Sequence, residues 1–445
     1  MATVLRRTGS GAYYGKMTIS LWVKRAKLGE QGIFGRREGS ATANLSTCHF
    51  TSDDQLLINF RDGGGNSKYY MITNRKFRDV NAWYHIVFAI DGTDGTAGDR
   101  SKLYINGVRE TSFALLNNPS STGYEVNMFL GGSYHTYIAR GLKSSSDSWL
   151  TFEGCMSHIN CSTGYTYDAS VFGSTDSTTG EWKINASPSF TLGTDGFTIL
   201  KDGNTITDQS SNSNDFSLYS GTLTKTEDCP SNIFATWNPQ WSASNGNVGD
   251  VTFSNGNTTT STSSSYRTTP TTLGMKSGKY YWEIKRLSTT SGDTHFGVMS
   301  ENATPANTAT WIGNAANGWV IAGDNGQTYT GGTSGGILSN GSVGNGAIFM
   351  GAYDGATGKL YFGRDGVWAG TANPSTGANA HYTLDTSLIY FPCVSTGSDV
   401  SANFGNGFFG TTQITSEGNN ASAIGKFEFH VPTGFTALST KGLNL

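Results

Sequence analysis

Two segments far apart in the chain carry the same pattern of strands and turns. Residues 83–90 are β-rich, an Asp- and Gly-bearing turn follows, and residues 102–110 form a second β-rich run broken by Asn-Gly. Residues 348–353 begin the other copy, which continues through a Gly-bearing turn and is broken by Asp-Gly at residues 365–366. Asx-Gly between β-rich runs predicts a two-residue hairpin, because both turn positions need positive φ. The separation is too large for a solenoid repeat, so it predicts two domains with related sheets.

The composition indicates an all-β protein. Aromatic residues reach 12%, whereas charged residues make up only 14%, against about a quarter in an average protein. A disordered chain shows the opposite bias. The 59 glycines, together with abundant Ser, Thr and Asn, are typical of many short strands joined by tight turns.

A change in composition gives the domain organisation. Residues 243–272 are rich in Ser, Thr, Asn and Gly, and residues 258–265 carry only hydroxyl side chains. Such a segment is typical of a flexible connection, although residues 251–253 also fit a first strand of the second domain. We therefore expect one domain over residues 1–225 and a second over residues 226–445, with the connecting segment at about 243–272.

Charge and hydropathy exclude several classes of protein. The net charge is −3 and no Lys/Arg stripe is present, which argues against nucleic-acid binding. No apolar run approaches the ~18 residues of a membrane span, so we expect no membrane insertion. Residues 1–11 lack the apolar core of a secretion signal. We expect a protein made in the cytoplasm that reaches the outside by release from a lysing cell.

The cysteines and the catalytic motifs point away from an enzyme. Five cysteines without a Cys-x-x-Cys pair favour buried thiols over a zinc site or a disulfide framework, although Cys155 and Cys161 are close enough to meet across a turn. Glycan hydrolysis needs two carboxylates in one cleft, and no strand offers them at alternate positions. The Gly-x-Ser-x-Gly string at residues 332–336 lacks the flanking strand and helix of a nucleophile elbow. We predict no catalytic residues, and a packed core role for His85.

One loop suits a metal ion. Asp91, Asp94 and Asp99 place three carboxylates within a short Gly-rich turn, and hard oxygen ligands of this kind suit Ca²⁺. The alternative is a solvated turn in which Asp and Gly allow tight bends. Calcium is the one cofactor that the sequence suggests.

Two groups of residues have the composition of a sugar-binding surface, in which aromatic faces stack on pyranose rings and polar groups bind hydroxyls. The alternative for each aromatic residue is core packing, which we expect for Trp22, Trp83 and Trp282 because they lie within alternating strands. The candidate glycan-binding residues are Tyr134, His135, Tyr137 and Arg140 in the first half, and Trp311, Trp319, Asp324 and Asn325 in the second.

The first half resembles laminin-G and concanavalin-A-like domains. The residues that carry this resemblance are Ser-Leu-Trp-Val-Lys at 20–24, Trp-Tyr-His-Ile-Val at 83–87 and Lys-Leu-Tyr-Ile-Asn-Gly-Val-Arg at 102–109. Residues 172–183 and 208–216 are similar to closing segments of laminin-G-like proteins of tailed marine phages. The resemblance implies a jelly-roll β-sandwich and a virus particle as the place of action.

The second half resembles a SPRY domain, a family that mainly binds proteins through a surface built of loops. The matching segments occur in the expected order at residues 277–285, 297–298, 354–368, 390–394, 402–405 and 432–438. Both families share the jelly-roll sandwich. The resemblances therefore imply two tandem antiparallel jelly-roll β-sandwiches.

Together these features favour a non-enzymatic protein on a phage virion, such as a tail fibre, an appendage or a capsid decoration, that recognises host-surface glycan. Its other partners would be virion proteins and further copies of itself, with a trimer suggested by analogy to fibres. A purely structural virion protein is the alternative, and a glycan-degrading enzyme is a third interpretation.

Overall fold

A computed structural model of the chain describes residues 2–37, 45–61, 66–126, 128–129, 134–143, 148–201, 205–244, 250–262, 266–288, 293–304 and 311–444. The chain divides into two compact units, Met1–Lys225 and Thr226–Leu445. The described helical segments are short. They are the α-helix α1 (Pro239–Ser244) and 3-10 turns at Ala97–Asp99, Ala169–Val171, Ile312–Asn314 and Gly442–Asn444.

The first unit is built from strands. They are β1 (Val4–Arg7), β2 (Lys16–Arg25), β3 (Gln31–Arg37), β4 (Leu45–Phe50), β5 (Gln55–Arg61), β6 (Ser67–Lys76), β7 (Trp83–Asp91), β8 (Ser101–Ile105), β9 (Val108–Arg109), β10 (Phe113–Asn117), β11 (Thr136–Ile138), β12 (Arg140–Leu142), β13 (Trp149–Thr151), β14 (Gly154–Thr163), β15 (Gly173–Thr175), β16 (Trp182–Ile184), β17 (Phe197–Ile199) and β18 (Ser217–Ser220).

Two antiparallel sheets enclose the core of this unit. One has the order β10-β6-β5-β4-β3-β11-β1-β18, and the other has the order β17-β14-β2-β7-β8-β9. Alternate residues of β2, among them Ile19 and Leu21, meet Phe34 and Ile58 of the larger sheet in one buried cluster. This arrangement follows from strand geometry, because alternate side chains share a face.

The opposite face of the six-stranded sheet is also covered. Trp22 and Trp83 are buried there, as expected from their places within strands, and Trp22 stacks on His85 with 4.6 Å between ring centroids. His85 bonds to the hydroxyl of Ser20 and to the indole N–H of Trp182, each at 2.9 Å. Burial lowers the pKa of His85 to about 3. The prediction of a packed core histidine is confirmed.

The first predicted hairpin is present. Ile105 of β8 pairs with Val108 of β9, and the turn residues Asn106 and Gly107 have φ of 48° and 80°. A Cβ atom added at Gly107 would lie 2.3 Å from the ring of Trp182, so glycine is required here both for its conformation and for the close approach of the indole.

Replacing Gly107 with alanine is expected to destabilise the first unit by about 1–3 kcal/mol, because the new methyl group is strained at positive φ and overlaps Trp182. The free energy of unfolding in urea measures the effect. Gly95→Ala is the matched control, since no atom lies within 4 Å of a Cβ at that position. Equal stabilities of the two variants would contradict the role assigned to the turn.

The second unit is likewise built from strands. They are β19 (Val251–Ser254), β20 (Thr259–Thr262), β21 (Arg267–Pro270), β22 (Lys279–Arg286), β23 (His295–Ser300), β24 (Gly318–Ala322), β25 (Gln327–Thr330), β26 (Thr333–Ile337), β27 (Ile348–Asp354), β28 (Lys359–Arg364), β29 (Val367–Trp368), β30 (Tyr382–Thr383), β31 (Tyr390–Thr396), β32 (Val400–Asn403), β33 (Phe408–Phe409), β34 (Thr412–Gln413) and β35 (Thr436–Ala437).

The sheets of the second unit repeat part of the first. One has the order β19-β20-β32-β22-β27-β28-β29, and the other has the order β21-β31-β23-β24-β25-β26. The neighbours β22-β27-β28-β29 correspond to β2-β7-β8-β9, and the turn residues Asp365 and Gly366 have φ of 48° and 83°. The pattern that recurs in the sequence is therefore one arrangement of adjacent strands used in both units. Trp282 lies fully buried at the centre of this sheet, as expected.

The described strands of the polar segment belong to the second sandwich, and the alternative expectation of a first strand at residues 251–253 is confirmed. Strand β19 pairs with β20, β20 with β32, and β21 with β31. The side chain of Thr260 is buried, and the hydroxyl of Thr259 bonds to that of Ser401 at 3.0 Å. Threonine has a high β propensity and can satisfy its hydroxyl within the sheet, so polar composition alone did not indicate a flexible linker. Residues 245–249 and 263–265 lie outside the described residues.

All five cysteines are free thiols, and Cys48, Cys161 and Cys393 are buried. Burial raises the pKa of each of these three thiols.

Candidate functional site

In the Asp-rich loop, for which the sequence suggests calcium, the three carboxylates have different partners. Asp91 forms an ion pair with Lys16 at 2.9 Å, and Asp99 forms one with Arg109 at 2.6 Å. Asp94 accepts a backbone N–H within its own loop. No group of three His, Cys, Asp or Glu side chains in the described part of the chain, which includes this whole loop, is placed to hold a metal ion. Asp91 and Asp99 are each paired with a cation from another strand, and Asp94 is held by its own turn, an arrangement that fits the alternative of a solvated turn.

The four candidate residues of the second unit differ in their contacts. Trp319 packs on the core, where its ring lies 5.6 Å from that of Tyr390. Trp311 packs on a separate cluster and stacks on His295 at 4.4 Å. Asp324 forms an ion pair with Arg286 at 2.5 Å. Asn325 caps its own turn by accepting a backbone N–H. Trp319 thus follows the alternative of core packing, whereas Trp311 and Asp324 have His295 as a common neighbour.

Three of the candidate residues of the first unit, His135, Tyr137 and Arg140, lie close together. Tyr137 of β11 and Arg140 of β12 are on the outer face of the eight-stranded sheet, and 5.1 Å separates the guanidinium carbon from the tyrosine ring centre. The ring of His135 lies 6.2 Å from that of Tyr137, and its Nδ1 bonds to the hydroxyl of Thr8 at 2.9 Å. Tyr134 is exposed.

Three aromatic rings converge around Arg140. Tyr137 lies 5.1 Å from Trp149 and 5.5 Å from Tyr219, in both cases edge to face. The guanidinium of Arg140 lies 4.2 Å from the centre of the Trp149 ring and 5.3 Å from that of Tyr219. Each pair is a cation–π contact.

Two further arginines complete this surface. Arg6 lies 5.2 Å from the Tyr219 ring, and Arg37 lies 5.8 Å from the Trp149 ring. We call this set the arginine–aromatic cluster; it consists of Arg6, Arg37, Tyr137, Arg140, Trp149 and Tyr219. Sequence reasoning found two of its members, since Arg6, Arg37, Trp149 and Tyr219 come from distant segments whose pairing no local pattern indicates.

Strand register determines which side chains reach the cluster. Arg6 of β1 is directly opposite Tyr137 of β11, while their neighbours Leu5 and Ile138 point into the core. Because the side-chain period of a strand is two, a core position at Leu5 places Arg6 on the outer face.

Glycines allow β12 and β13, the strands that carry Arg140 and Trp149, to lie close to the eight-stranded sheet. A Cβ atom at Gly32 of β3 would lie 2.0 Å from the backbone nitrogen of Gly141, and one at Gly35 would lie 3.0 Å from the Cα of Gly141. The absent side chains let the β12–β13 hairpin lie directly on the sheet. This hairpin carries Arg140 and Trp149, and its position holds both over Tyr137.

The cluster is electropositive. Burial raises the pKa of Tyr137, while the guanidinium groups of Arg140, Arg6 and Arg37 act in the opposite direction. Burial and the charge of Arg6 lower the pKa of His135. All three cations are therefore close enough to act on one hydroxyl group.

A separate open depression of about 510 Å³ is lined by Lys16, Asp91 and residues 164–167. Tyr165 stands 45% exposed at its side. Its two charged groups neutralise each other in the Lys16–Asp91 ion pair. It offers one exposed ring and no unpaired charge, so it is a weaker candidate than the arginine–aromatic cluster.

Comparisons with known proteins support the fold of the first unit. A laminin-G family model, described as the Concanavalin A-like lectin/glucanases superfamily, matches residues 8–152. The predicted laminin-G-like, concanavalin-A-like character of this unit is confirmed. No curated protein matches the chain.

Three solved structures show weak similarity. The SPRY domain of human HERC1 has a TM-score of 0.27 and 17% identity, covering 33% of this chain and 87% of its own. The TRIM65 PSpry domain has a TM-score of 0.28 and 13% identity, and the match covers 38% of this chain and 91% of that domain. The native heptameric SAP-like pentraxin from Limulus polyphemus has a TM-score of 0.29 and 15% identity, and the match covers 45% of this chain and 90% of that chain.

Among the residues that the structure describes, no helix has the length and hydropathy to cross a membrane.

Proposed function

We propose that the chain is a non-enzymatic saccharide-binding protein on the surface of a phage particle, as a tail fibre, an appendage or a capsid decoration. It would be made in the host cytoplasm, assemble with virion proteins and further copies of itself, and bind host-surface glycan through the arginine–aromatic cluster. The observation that carries the proposal is the convergence of Tyr137, Trp149 and Tyr219 with guanidinium groups on an outer sheet face.

The chemistry of this surface suits a sugar. Tyr219 is 45% exposed, so its ring can contact the apolar C–H face of a pyranose. Guanidinium groups offer several donors in one plane, which suits the hydroxyl and ring oxygens of a saccharide. The concanavalin-A-like match over residues 8–152 supports the same class of ligand. The resemblance of residues 172–183 and 208–216 to segments of phage proteins supports a place on a phage particle.

A purely structural role in the same particle is the second candidate. It is supported by β10, an edge strand of the eight-stranded sheet, where Leu115 and Leu116 are exposed. An uncovered edge with apolar side chains can pair with another chain.

The test is binding of the fluorescently labelled chain to host cells. We expect saturable binding that is lost when surface glycan is stripped and that persists in EDTA, since no described carboxylate group is placed to hold a metal. Tyr219→Ala should weaken binding about tenfold, as loss of an anchoring aromatic residue does.

Tyr165→Ala is the matched control, because Tyr165 is also 45% exposed but lies in the other depression. Release of reducing ends from the glycan would overturn the non-enzymatic assignment. Binding that survives glycan stripping, or that Tyr219→Ala leaves unchanged, would count against the proposed site and favour the structural role.

A further inference from the structure

We infer that the arginine–aromatic cluster selects anionic pyranoses, sugar units that carry a carboxylate or a sulfate group, over neutral ones. This inference rests on the proposed saccharide-binding function and names the class of ligand. It follows from how three cations share one small surface.

The three guanidinium groups are linked through shared rings. Arg140 and Arg37 both contact the ring of Trp149, at 4.2 and 5.8 Å. Arg140 and Arg6 both contact the ring of Tyr219, at 5.3 and 5.2 Å. Three formal positive charges therefore surround two neighbouring rings.

Arg6 and Arg140 differ from other arginines of the same unit in their partners. Within the described part of the chain, neither forms an ion pair with a carboxylate, and their contacts are with aromatic rings. Several other arginines of the unit are paired with a carboxylate, among them Arg7–Asp195, Arg25–Asp54, Arg75–Glu110 and Arg109–Asp99. The cluster thus holds positive charge that the neighbouring protein groups do not neutralise.

An anionic ligand would supply the counter-charge. Carboxylate and sulfate groups accept two parallel hydrogen bonds from a guanidinium, and such charge-assisted bonds are about twice as strong as neutral ones. A neutral sugar leaves the charges of Arg6 and Arg140 without a counter-charge. The selectivity for anionic sugars follows from this difference in charge.

The rings also prepare the site for binding. Arg140 is held among Tyr137, Trp149 and Tyr219, so its side chain has lost much of its rotational freedom before a ligand arrives. Pre-organised side chains pay a smaller entropic cost on binding. Tyr219 remains exposed beside it, so the ring of an anionic pyranose can lie on the tyrosine while its acid group meets the guanidinium groups.

The experiment uses two matched pairs of polysaccharides and the full chain, with calorimetric titration at low ionic strength. Polygalacturonate is compared with its methyl ester, and dextran sulfate with dextran, so that one pair tests a carboxylate and the other a sulfate. We expect at least one acidic polymer to bind about tenfold or more tightly than its neutral partner. The preference should weaken as salt is added, because exposed charges are screened.

Two variants locate the selectivity. Arg6→Gln and Arg140→Gln should each reduce the preference for the acidic polymer about tenfold, while weak binding of the neutral polymer remains. Arg6→Gln is included because Arg140 also holds the rings in place. Arg109→Gln is the control, since it removes one positive charge from β9 of the other sheet.

Each outcome decides the inference. Selectivity that disappears in Arg6→Gln and Arg140→Gln but not in Arg109→Gln supports it. Equal binding of acidic and neutral polymers overturns the inference and leaves the proposed function standing. An equal loss in Arg109→Gln overturns it as well, because general charge attraction then explains the preference. Failure of all four polymers to bind, together with failure to bind host cells, overturns the proposed function itself.

Discussion

Replacing Arg25 with alanine is expected to destabilise the first unit by about 3–5 kcal/mol, the cost of breaking a buried ion pair. The guanidinium is fully buried and pairs with Asp54 at 3.1 Å. It also donates to the carbonyl oxygens of Phe77 at 2.6 Å and Gly29 at 2.7 Å, and stacks 4.2 Å from the centre of the Phe50 ring. Its removal leaves the Asp54 carboxylate and two carbonyl groups without this donor.

Arg78→Ala is the matched control for Arg25→Ala. Arg78 contacts the same carboxylate at 3.1 Å, but its side chain is 58% exposed. Solvent screening limits such a pair to about 1 kcal/mol or less. Urea unfolding of the full chain gives the free energies, and hydrogen exchange identifies the unit that opens. Equal losses in the two variants would show that burial of Arg25 does not govern its contribution.

Replacing Glu283 with alanine is expected to destabilise the second unit by a similar amount, about 3–5 kcal/mol, because buried donors lose their acceptor. The carboxylate accepts the hydroxyl of Tyr281 at 2.9 Å, the amide of Asn403 at 3.1 Å, and the backbone N–H groups of Glu428 and Phe429 at 3.0 and 2.8 Å. It thereby fastens the segment around residues 428–429 to β22. Glu417→Ala, at an exposed ion pair with Lys426, should change stability by about 0.5 kcal/mol or less.

Glu283 also makes the free energy of unfolding depend on pH, in a direction that follows from its pKa. Burial raises the pKa of Glu283 from 4.5 to about 7, although its hydrogen bonds act in the opposite direction. The folded state therefore binds this proton more tightly than the unfolded state does. The stability that it contributes is fully present below pH 4.5 and falls as pH rises toward about 7. The stability lost in Glu283→Ala relative to the parent chain should therefore be larger at pH 5 than at pH 7; an equal loss at both pH values would refute the assignment.

Local patterns in the sequence predicted the strands and turns well. Alternation located β2 and β7, and Asx-Gly located both hairpins, because these signals depend on neighbouring residues alone. The side of the sheet on which Trp319 lies could not be predicted. Strand β24 has the sequence Gly-Trp-Val-Ile-Ala, in which polar and apolar residues do not alternate. A strand buried on both faces gives no indication of which side chain meets which cluster.

The candidate site depended on information that is not local. Tyr137 and Arg140 were found from their composition, but Arg6 and Tyr219 join them through the pairing of β1 with β11 and β18. The carboxylates at Asp91 and Asp99 looked available for a metal until Lys16 and Arg109 were placed beside them by strand pairing. Long-range pairing decides both outcomes, and a single sequence does not encode it in any short pattern.

The free thiols have a consequence for where the protein can work. No cross-link between its five cysteines contributes to the fold, and Cys48, Cys161 and Cys393 are shielded in the interior with their thiolate forms disfavoured. The thiolate is the form that exchanges with disulfides and reacts with oxidants. These three sulfur atoms are thus protected from glutathione and from dissolved oxygen alike. We expect the structure around these three sulfur atoms to be the same in reducing and in oxidising surroundings.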